Sequence, residues 1–574
     1  MVAPQCPVRP ESSSPQFGAV YPLGYGDGME HIIIGGVAGG MSAATRLRRL
    51  DEDAHITVIE RSGHVSFANC GLPYHVGGLI EDRESLLLQT PASLGRRFGL
   101  DVRVGTEAVA IDRARRVVVV REVATGVRSE LPYDHVLLAP GARPVRPPIS
   151  GIERALSLRD IEDTDALVAA SRPARTAAII GGGFIGLELA ENLTRRGIAV
   201  TVVEAAEQVM TPLDPEMVGP VHDHLRASGV TLRLGASVTA VGPDTVTLAT
   251  GERVAAELVV SAVGVRPDTR LADEAGLETG RLGGILVDSR FRTSDPRILA
   301  VGDAVEKRDA VDGAQVLVPL ANTANRQGRM AADVMAGLPA HDRPVLGTAI
   351  VGVFGLQVAT TGWSEKRLVA AGRPHRVIHT HPASHATYYP GAEGMSLKLL
   401  VDRDTDAILG AQGVGREGVD KRIDVIATAM AGGLTASGLA GLELAYAPQF
   451  ASAKDPVNLL GYVADNLRTG VTRSVQWHEL ADAMADGAVL VDVRTPEEHE
   501  AGAIPGALSV PVDDLRGRLD EIPDGPVVVH CAVGQRGHTA ARVLTHAGRE
   551  VRNLDGGYRT WLAGTGAREP ALAH

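Results

Sequence analysis

Three cysteines occur in 574 residues, and two stand where a thiol could do chemistry. Cys70 lies in Ser66-Phe67-Ala68-Asn69-Cys70-Gly71-Leu72-Pro73-Tyr74, with no second cysteine within a helical turn or two. A lone cysteine is more often a small buried hydrophobe than a nucleophile, so the surrounding elements must decide its role. Cys531 heads Cys531-Ala532-Val533-Gly534-Gln535-Arg536-Gly537, between a predicted strand, Pro526 to His530, and a predicted helix from about His538 to Ala547. A thiol there sits in a cradle of backbone N–H groups. That cradle, with Arg536, lowers its pKa and holds anionic sulfur. Cys6 falls in a tail rich in proline, serine and glycine and is assigned no role.

Two repeated units position the first thiol. His31-Ile32-Ile33-Ile34 reads as a buried strand. It runs into Gly35-Gly36-Val37-Ala38-Gly39-Gly40, a predicted helix from Met41 to about Leu50, and the strand Ile56-Thr57-Val58-Ile59 ending at Glu60. Gly35, Gly36, Gly39 and Gly40 allow a tight turn and a close approach to a pyrophosphate, and Glu60 can accept hydrogen bonds from a ribose. Val37 replaces the middle glycine of the usual fingerprint. The second copy has Ala178-Ile179-Ile180, then Gly181, Gly183 and Gly186 in full, a predicted helix from Leu187 to about Arg196, and a strand ending at Glu204. That acid favours the free ribose of NADH, while NADPH more often meets an arginine and stays possible. Two dinucleotide sites imply one bound flavin and one passing nicotinamide. Asp303, at the end of Ile298-Leu299-Ala300-Val301-Gly302, is either a flavin-ribityl ligand or an ordinary turn aspartate. Leu137 to Ala142, and Val260 to Gly264, read as connectors between the two units.

The rest of the composition sets bounds. The length requires several domains. A net charge of −12 and 3% aromatic residues argue against a nucleic-acid partner. No apolar run is long enough for a transmembrane helix. Sparse cysteines fit a reducing cytoplasm. Residues 1–29 are expected to be disordered, with Met29 a possible true start. Residues 343–465 read as an α+β unit, with helices near Lys421–Ala431 and before Tyr446. A polar linker is expected at 466–474 and a further α/β unit at 475–574. No metal site is expected.

Residues 30–462 resemble the single-cysteine pyridine nucleotide-disulfide oxidoreductases, through both glycine fingerprints and the Ser66–Tyr74 segment. Relatives with two redox cysteines place the second where this chain has His75. Within the family the segment is similar to coenzyme A disulfide reductases and NADH-dependent polysulfide and persulfide reductases. Residues 475–566 resemble a rhodanese domain, through Asp492-Val493-Arg494, Gly502 to Ala507, the Cys531 loop and Gly556-Gly557-Tyr558. The resemblance implies interleaved Rossmann-like domains: FAD-binding at 30–145 and 265–342, and NAD(P)H-binding at 146–264. It implies a dimerisation domain at 343–465, a rhodanese domain at 475–574, and a cytoplasmic homodimer using FAD, NADH and coenzyme A. Cys70 would be the redox thiol. Ala321 and Gly264 would join the nucleotide contacts. Ser42, Arg46, Arg49, Ser66 and Asn69 would bind coenzyme A, with Arg96 or Arg97 adding a phosphate contact. Tyr388 and Tyr446 would reach the partner's thiol across the dimer, Tyr389 competing for the first place. Cys531 would transfer sulfane sulfur. Gly537 stands where many sulfurtransferases have serine, which weakens thiosulfate as a substrate. The expected activity is NAD(P)H-dependent reduction of coenzyme A persulfide, polysulfide or coenzyme A disulfide. An oxidase or peroxidase cycling Cys70 through sulfenic acid, and a flavin-based redox sensor, are the alternatives.

Overall fold

A computed structural model describes residues 28–566. The expectations about the first 27 residues, Cys6 included, lie outside it. The near-continuous apolar strand Glu30–Ile34 is the centre of a five-stranded parallel sheet. The order is Ile298–Ala300, His135–Leu138, Glu30–Ile34, His55–Ile59 and Asp101–Arg103. Strands covered on both faces read as unbroken hydrophobic runs, and Ile32, Ile33 and Ile34 are all buried. Helix Ala38–Leu50 crosses helix Ala321–Met335 at very short range. A Cβ on Gly328 would stand 2.0 Å from the Gly39 carbonyl oxygen.

The second unit repeats this plan with Thr231–Arg233, Ala199–Val203, Thr176–Ile180 and Leu258–Ser261, all parallel. The two connectors pair with each other as antiparallel Ala142–Pro144 and Val265–Pro267. A five-stranded antiparallel sheet follows, in the order Ala349–Val353, Leu356–Gly362, Ile408–Gly415, Met395–Asp402, His375–Thr380. Helices Val419–Ala431 and Pro456–Arg468 share its core. The last sheet is parallel, in the order Ser474–Val475, Val551–Leu554, Val527–His530, Val489–Asp492, Leu508–Ser509.

The elements differ from the predicted ones in three ways. The helices after the glycine loops and the Cys531 loop start at Ala38, Phe184 and Gln535, one turn before the apolar periodicity begins. The loop residues themselves make the first turn, which aims free N–H groups at whatever the loop cradles. No α-helix lies between Gly432 and Tyr446. Only a 3-10 turn, Ser437–Gly441, forms in that glycine-rich stretch, and the helix comes later, where the Asp455 carboxylate accepts from the Val457 N–H at 3.0 Å. That helix runs to Arg468, so only 469–473 separate it from the final sheet. No described helix is long and apolar enough to cross a membrane.

Candidate active site

Cys70 sits in a 3-10 turn, Asn69–Gly71, that leads into the short helix Leu72–Val76. Two anchors place it. Ser66, with a left-handed φ of 48°, donates its N–H to the Gly36 carbonyl of the first glycine loop at 2.8 Å. Leu72 and Val76 are buried in one core with Leu187 and Leu189 of helix Phe184–Arg195, which follows the second glycine loop. The thiol is therefore held between the two units, and it is free and exposed. His75, where a second cysteine would stand in relatives, hydrogen-bonds through Nδ1 to the Ile80 carbonyl at 2.7 Å.

The electrostatics of this turn disfavour the Cys70 thiolate. The protein's own groups do not activate Cys70. Desolvation, then the carboxylates of Glu188 and Asp303, push its thiol up. Tyr74 donates to Glu188 Oε1 at 3.2 Å. Desolvation, then Glu188, lifts the Tyr74 hydroxyl to about 12. Desolvation, with Glu191 adding and Tyr74 opposing, lifts Glu188 itself to about 7. Sequence reasoning missed Glu188. Its signal was an acid set between Leu187 and Leu189, one turn before Glu191, on a largely buried helix.

The residues present fit a flavin and a nicotinamide dinucleotide. Gly35 and Gly181 share a φ of 107°, and a Cβ would stand 2.1 Å from Ala139 O or 2.4 Å from Ala262 O. Gly40 and Gly186 pack onto the carbonyls of Gly35 and Gly181, where a Cβ would come within 1.9 and 2.1 Å. In each loop the following acid accepts a loop N–H. Glu60 Oε2 takes Gly36 N at 2.8 Å, and Glu204 Oε2 takes Gly182 N at 2.7 Å. Val37, at φ −117° and ψ −129°, does not take the positive φ that would call for glycine. Gly183 caps its helix with no side chain in the way. Gly264, with φ 107°, ends its connector in open space. Asp303 is the sharpest indicator of fit. Its Oδ1 is buried without a hydrogen-bond partner, and desolvation raises its carboxyl despite Lys307 and Arg159. A ribityl hydroxyl would supply the missing donor. Ala321 is the exposed first residue of its helix.

Ser42, Arg46 and Arg49 fall on one face of helix Ala38–Leu50, but two of them have partners. Ser42 Oγ donates to Asn325 Oδ1 at 2.6 Å, and Arg46 is paired with Asp333 at 2.7 Å. Arg49 lies over the Phe98 ring at 5.2 Å, beside the helix that carries exposed Arg96 and Arg97. Ser66 and Asn69 flank Cys70 in the chain. The Tyr388 and Tyr446 hydroxyls meet at 2.8 Å while both rings stay exposed, 75% and 48%. Tyr389 instead sets its ring edge-on to His385. Among the described residues, no hydrogen bond joins Cys70 to this tyrosine pair or to Cys531.

Cys531 is fully buried at the end of strand Val527–His530 and accepts the Gly534 N–H at 3.1 Å. Arg536 is engaged by both oxygens of Glu498 at 2.7 Å, and its hydrogen bonds hold Glu498 down at about 2. Glu498 was also missed, although Thr495-x-x-Glu498 is a legible capping box. A Cβ at Gly537 would stand 2.2 Å from Asn553 Oδ1, which explains the glycine there.

Comparison with known proteins fits this geometry. Residues 29–328 match the pyridine nucleotide-disulphide oxidoreductase model, 348–456 that family's dimerisation domain, and 476–564 the rhodanese-like domain. The chain belongs to the pyridine nucleotide-disulphide oxidoreductase family. It is 32% identical to a coenzyme A disulfide reductase of Staphylococcus aureus (strain JH9), over 75% of this chain and 99% of that one. The crystal structure of reduced Bacillus anthracis CoADR-RHD is 44% identical, with a TM-score of 0.93 over 95% of this chain and 99% of that one. A NAD-dependent persulfide reductase from A. fulgidus is 39% identical, with a TM-score of 0.87 over 93% and 100%. The rhodanese-like unit is thus part of an architecture shared along nearly the whole length.

Proposed function

We propose that this oxidoreductase is an FAD-dependent NAD(P)H reductase of sulfur–sulfur bonds, working through Cys70 on coenzyme A persulfide, polysulfide or coenzyme A disulfide. Cys531 carries sulfane sulfur, and the working unit is a cytoplasmic homodimer. One observation carries the reading: an exposed thiol between two dinucleotide folds has His75 where a second cysteine would close a disulfide. The sulfur partner of Cys70 must then come from the substrate. The names of the relatives, one a reductase of coenzyme A disulfide and one of persulfide, support the substrate class.

Cys70 as thiolate attacks one sulfur of the substrate bond. A mixed disulfide forms on Cys70 and the other sulfur leaves as a thiolate or sulfide. The first glycine loop and Asp303 would hold a flavin, which would supply the electron pair, drawn from nicotinamide hydride, needed to restore the Cys70 thiolate and release the second thiol. Because the surroundings push the thiol up, the chain must also handle its proton. Glu188, held at about 7, acts electrostatically on the thiol and bonds Tyr74, and it is our candidate to take or return that proton. Tyr388 and Tyr446, paired and exposed on the dimerisation unit, would approach the partner's Cys70. Gly534, at the mouth of the Cys531 loop, already donates to the sulfur as it would to a persulfide.

Cys70→Ser should lose NADH-dependent release of both sulfide and coenzyme A. Full retention of either would overturn the reading. Cys531→Ala should abolish sulfane transfer and leave coenzyme A disulfide reduction intact. A separate assay with oxygen or peroxide as acceptor tests the oxidase alternative.

A further inference from the structure

Three units meet at one buried histidine outside the machinery described so far. His379 lies in strand His375–Thr380 of the antiparallel sheet and is 3% exposed. Its Nδ1 stands 2.7 Å from Asp555 Oδ2, and its backbone N–H donates to the same oxygen at 2.9 Å. Its Nε2 stands 3.0 Å from Glu216 Oε1, on helix Pro215–Ala227 of the second nucleotide-binding unit. A neutral imidazole has one N–H and could donate to only one of these carboxylates. Two facing carboxylates require the imidazolium.

Asp555 is tied to the sulfur-carrying loop. It precedes Gly556-Gly557, whose backbone packs against that loop. A Cβ at Gly557 would stand 2.4 Å from the Cys531 carbonyl oxygen, and one at Gly556 would stand 2.8 Å from His379 Cβ. The Tyr558 and Arg559 N–H groups donate to the carbonyls of Cys531 and Ala532 at 2.8 and 3.0 Å. We propose that His379 is a positioning residue, a cationic bridge that joins Asp555 to Glu216 and so holds the Cys531 loop in place against the second nucleotide-binding unit.

The surrounding charges agree. Lys398, opposite His379 in the sheet, is buried among Asp214, Glu216 and Glu365. Those three carboxylates are the described cluster closest to a metal-binding arrangement, and the ammonium already sits among them. On the other side, His381 bridges Ser396 and Thr560. Desolvation, then Arg559 and His379, hold His381 well below its usual range, so it stays neutral. Desolvation also opposes the charge on His379, but hydrogen bonds to Asp555 and Glu216 outweigh it and raise the imidazole from 6.5 to about 9. The raised value means that the bridge contributes fully below its ordinary value of 6.5 and is lost as pH rises through about 9. Above that, Asp555 and Glu216 face a neutral ring.

Hydrogen–deuterium exchange of the full-length, flavin-loaded protein tests this. Near neutral pH, His379→Gln should speed exchange at residues 531–537 and 555–560 by roughly tenfold. Adding Asp555→Asn should restore much of the protection, because no carboxylate then faces a neutral partner on that side. In the unmutated protein the same peptides, corrected for intrinsic rates, should lose protection as pH passes about 9. Unchanged exchange in His379→Gln, or a double variant no better protected than the single one, would overturn the proposal. The kinetic consequence rests on Cys531 being a sulfur carrier: sulfane transfer should fall in parallel while coenzyme A disulfide reduction holds. Exchange that behaves as stated, with sulfane transfer unaffected, would leave the bridge standing and refute the sulfur-carrier reading.

Discussion

At the scale of single residues, the proton on Cys70 is the controlling quantity. A cysteine is a nucleophile only as its thiolate, yet desolvation, then Glu188 and Asp303, oppose ionisation here. Removing one of them should show directly. In Glu188→Gln, within a Cys531→Ala background, labelling of Cys70 by iodoacetamide should move to lower pH. Labelling at about pH 8 should rise about two- to fivefold, since a thiol that titrates one pH lower carries about ten times more thiolate. The difference should vanish below about 7, where Glu188 is already protonated. Turnover should nevertheless fall if Glu188 is the proton acceptor proposed above. A variant with unchanged labelling would show that Glu188 does not act on the thiol.

At the scale of elements, close helix crossing holds the nucleotide sites in shape. Helices Ala38–Leu50 and Ala321–Met335 touch backbone to backbone at Gly39 and Gly328, and each begins at a place expected to face the flavin. Gly328→Ala inserts a methyl 2.0 Å from the Gly39 carbonyl oxygen. Overpacking of this kind costs about 1–3 kcal/mol. The variant should purify with less flavin and unfold at lower temperature, seen by flavin absorbance and a thermal scan. The Cys531 loop follows the same logic. Gly537→Ser would drive its Cβ into Asn553 Oδ1. It should lower stability without creating thiosulfate transfer, whatever the pattern in other sulfurtransferases suggests.

At the scale of the whole molecule, the tyrosine pair makes the dimer testable. Tyr388 and Tyr446 lie on the dimerisation unit, make no described hydrogen bond to their own Cys70, and stay largely exposed. Across a dimer they would complete the partner's site. Cys70→Ser protein and Tyr388→Phe/Tyr446→Phe protein should each be slow alone. Mixed dimers formed by co-expression should regain activity, because one of their two sites has both the thiol and the tyrosines intact. No gain in separated heterodimers would show that the tyrosines do not act on the partner's thiol.

The sequence by itself determined both glycine-loop units, the paired acids Glu60 and Glu204, the solitary Cys70 and the Cys531 loop. These are local patterns. A strand, a tight turn and a helix are dictated within a few tens of residues, and a glycine that must turn or sit under a carbonyl is visible as a glycine. Only the tertiary structure decided which charges meet. It joined Tyr388 to Tyr446, 58 positions away, and set Tyr74 on Glu188, 114 away. It paired Arg46 with Asp333 across 287 residues and Arg536 with Glu498 across 38. It placed His379 between Glu216 and Asp555, 163 and 176 residues off. A carboxylate looks the same in sequence whether it faces water, a cation or a thiol. Its effect depends on distance and desolvation, and those exist only once the sheets have packed.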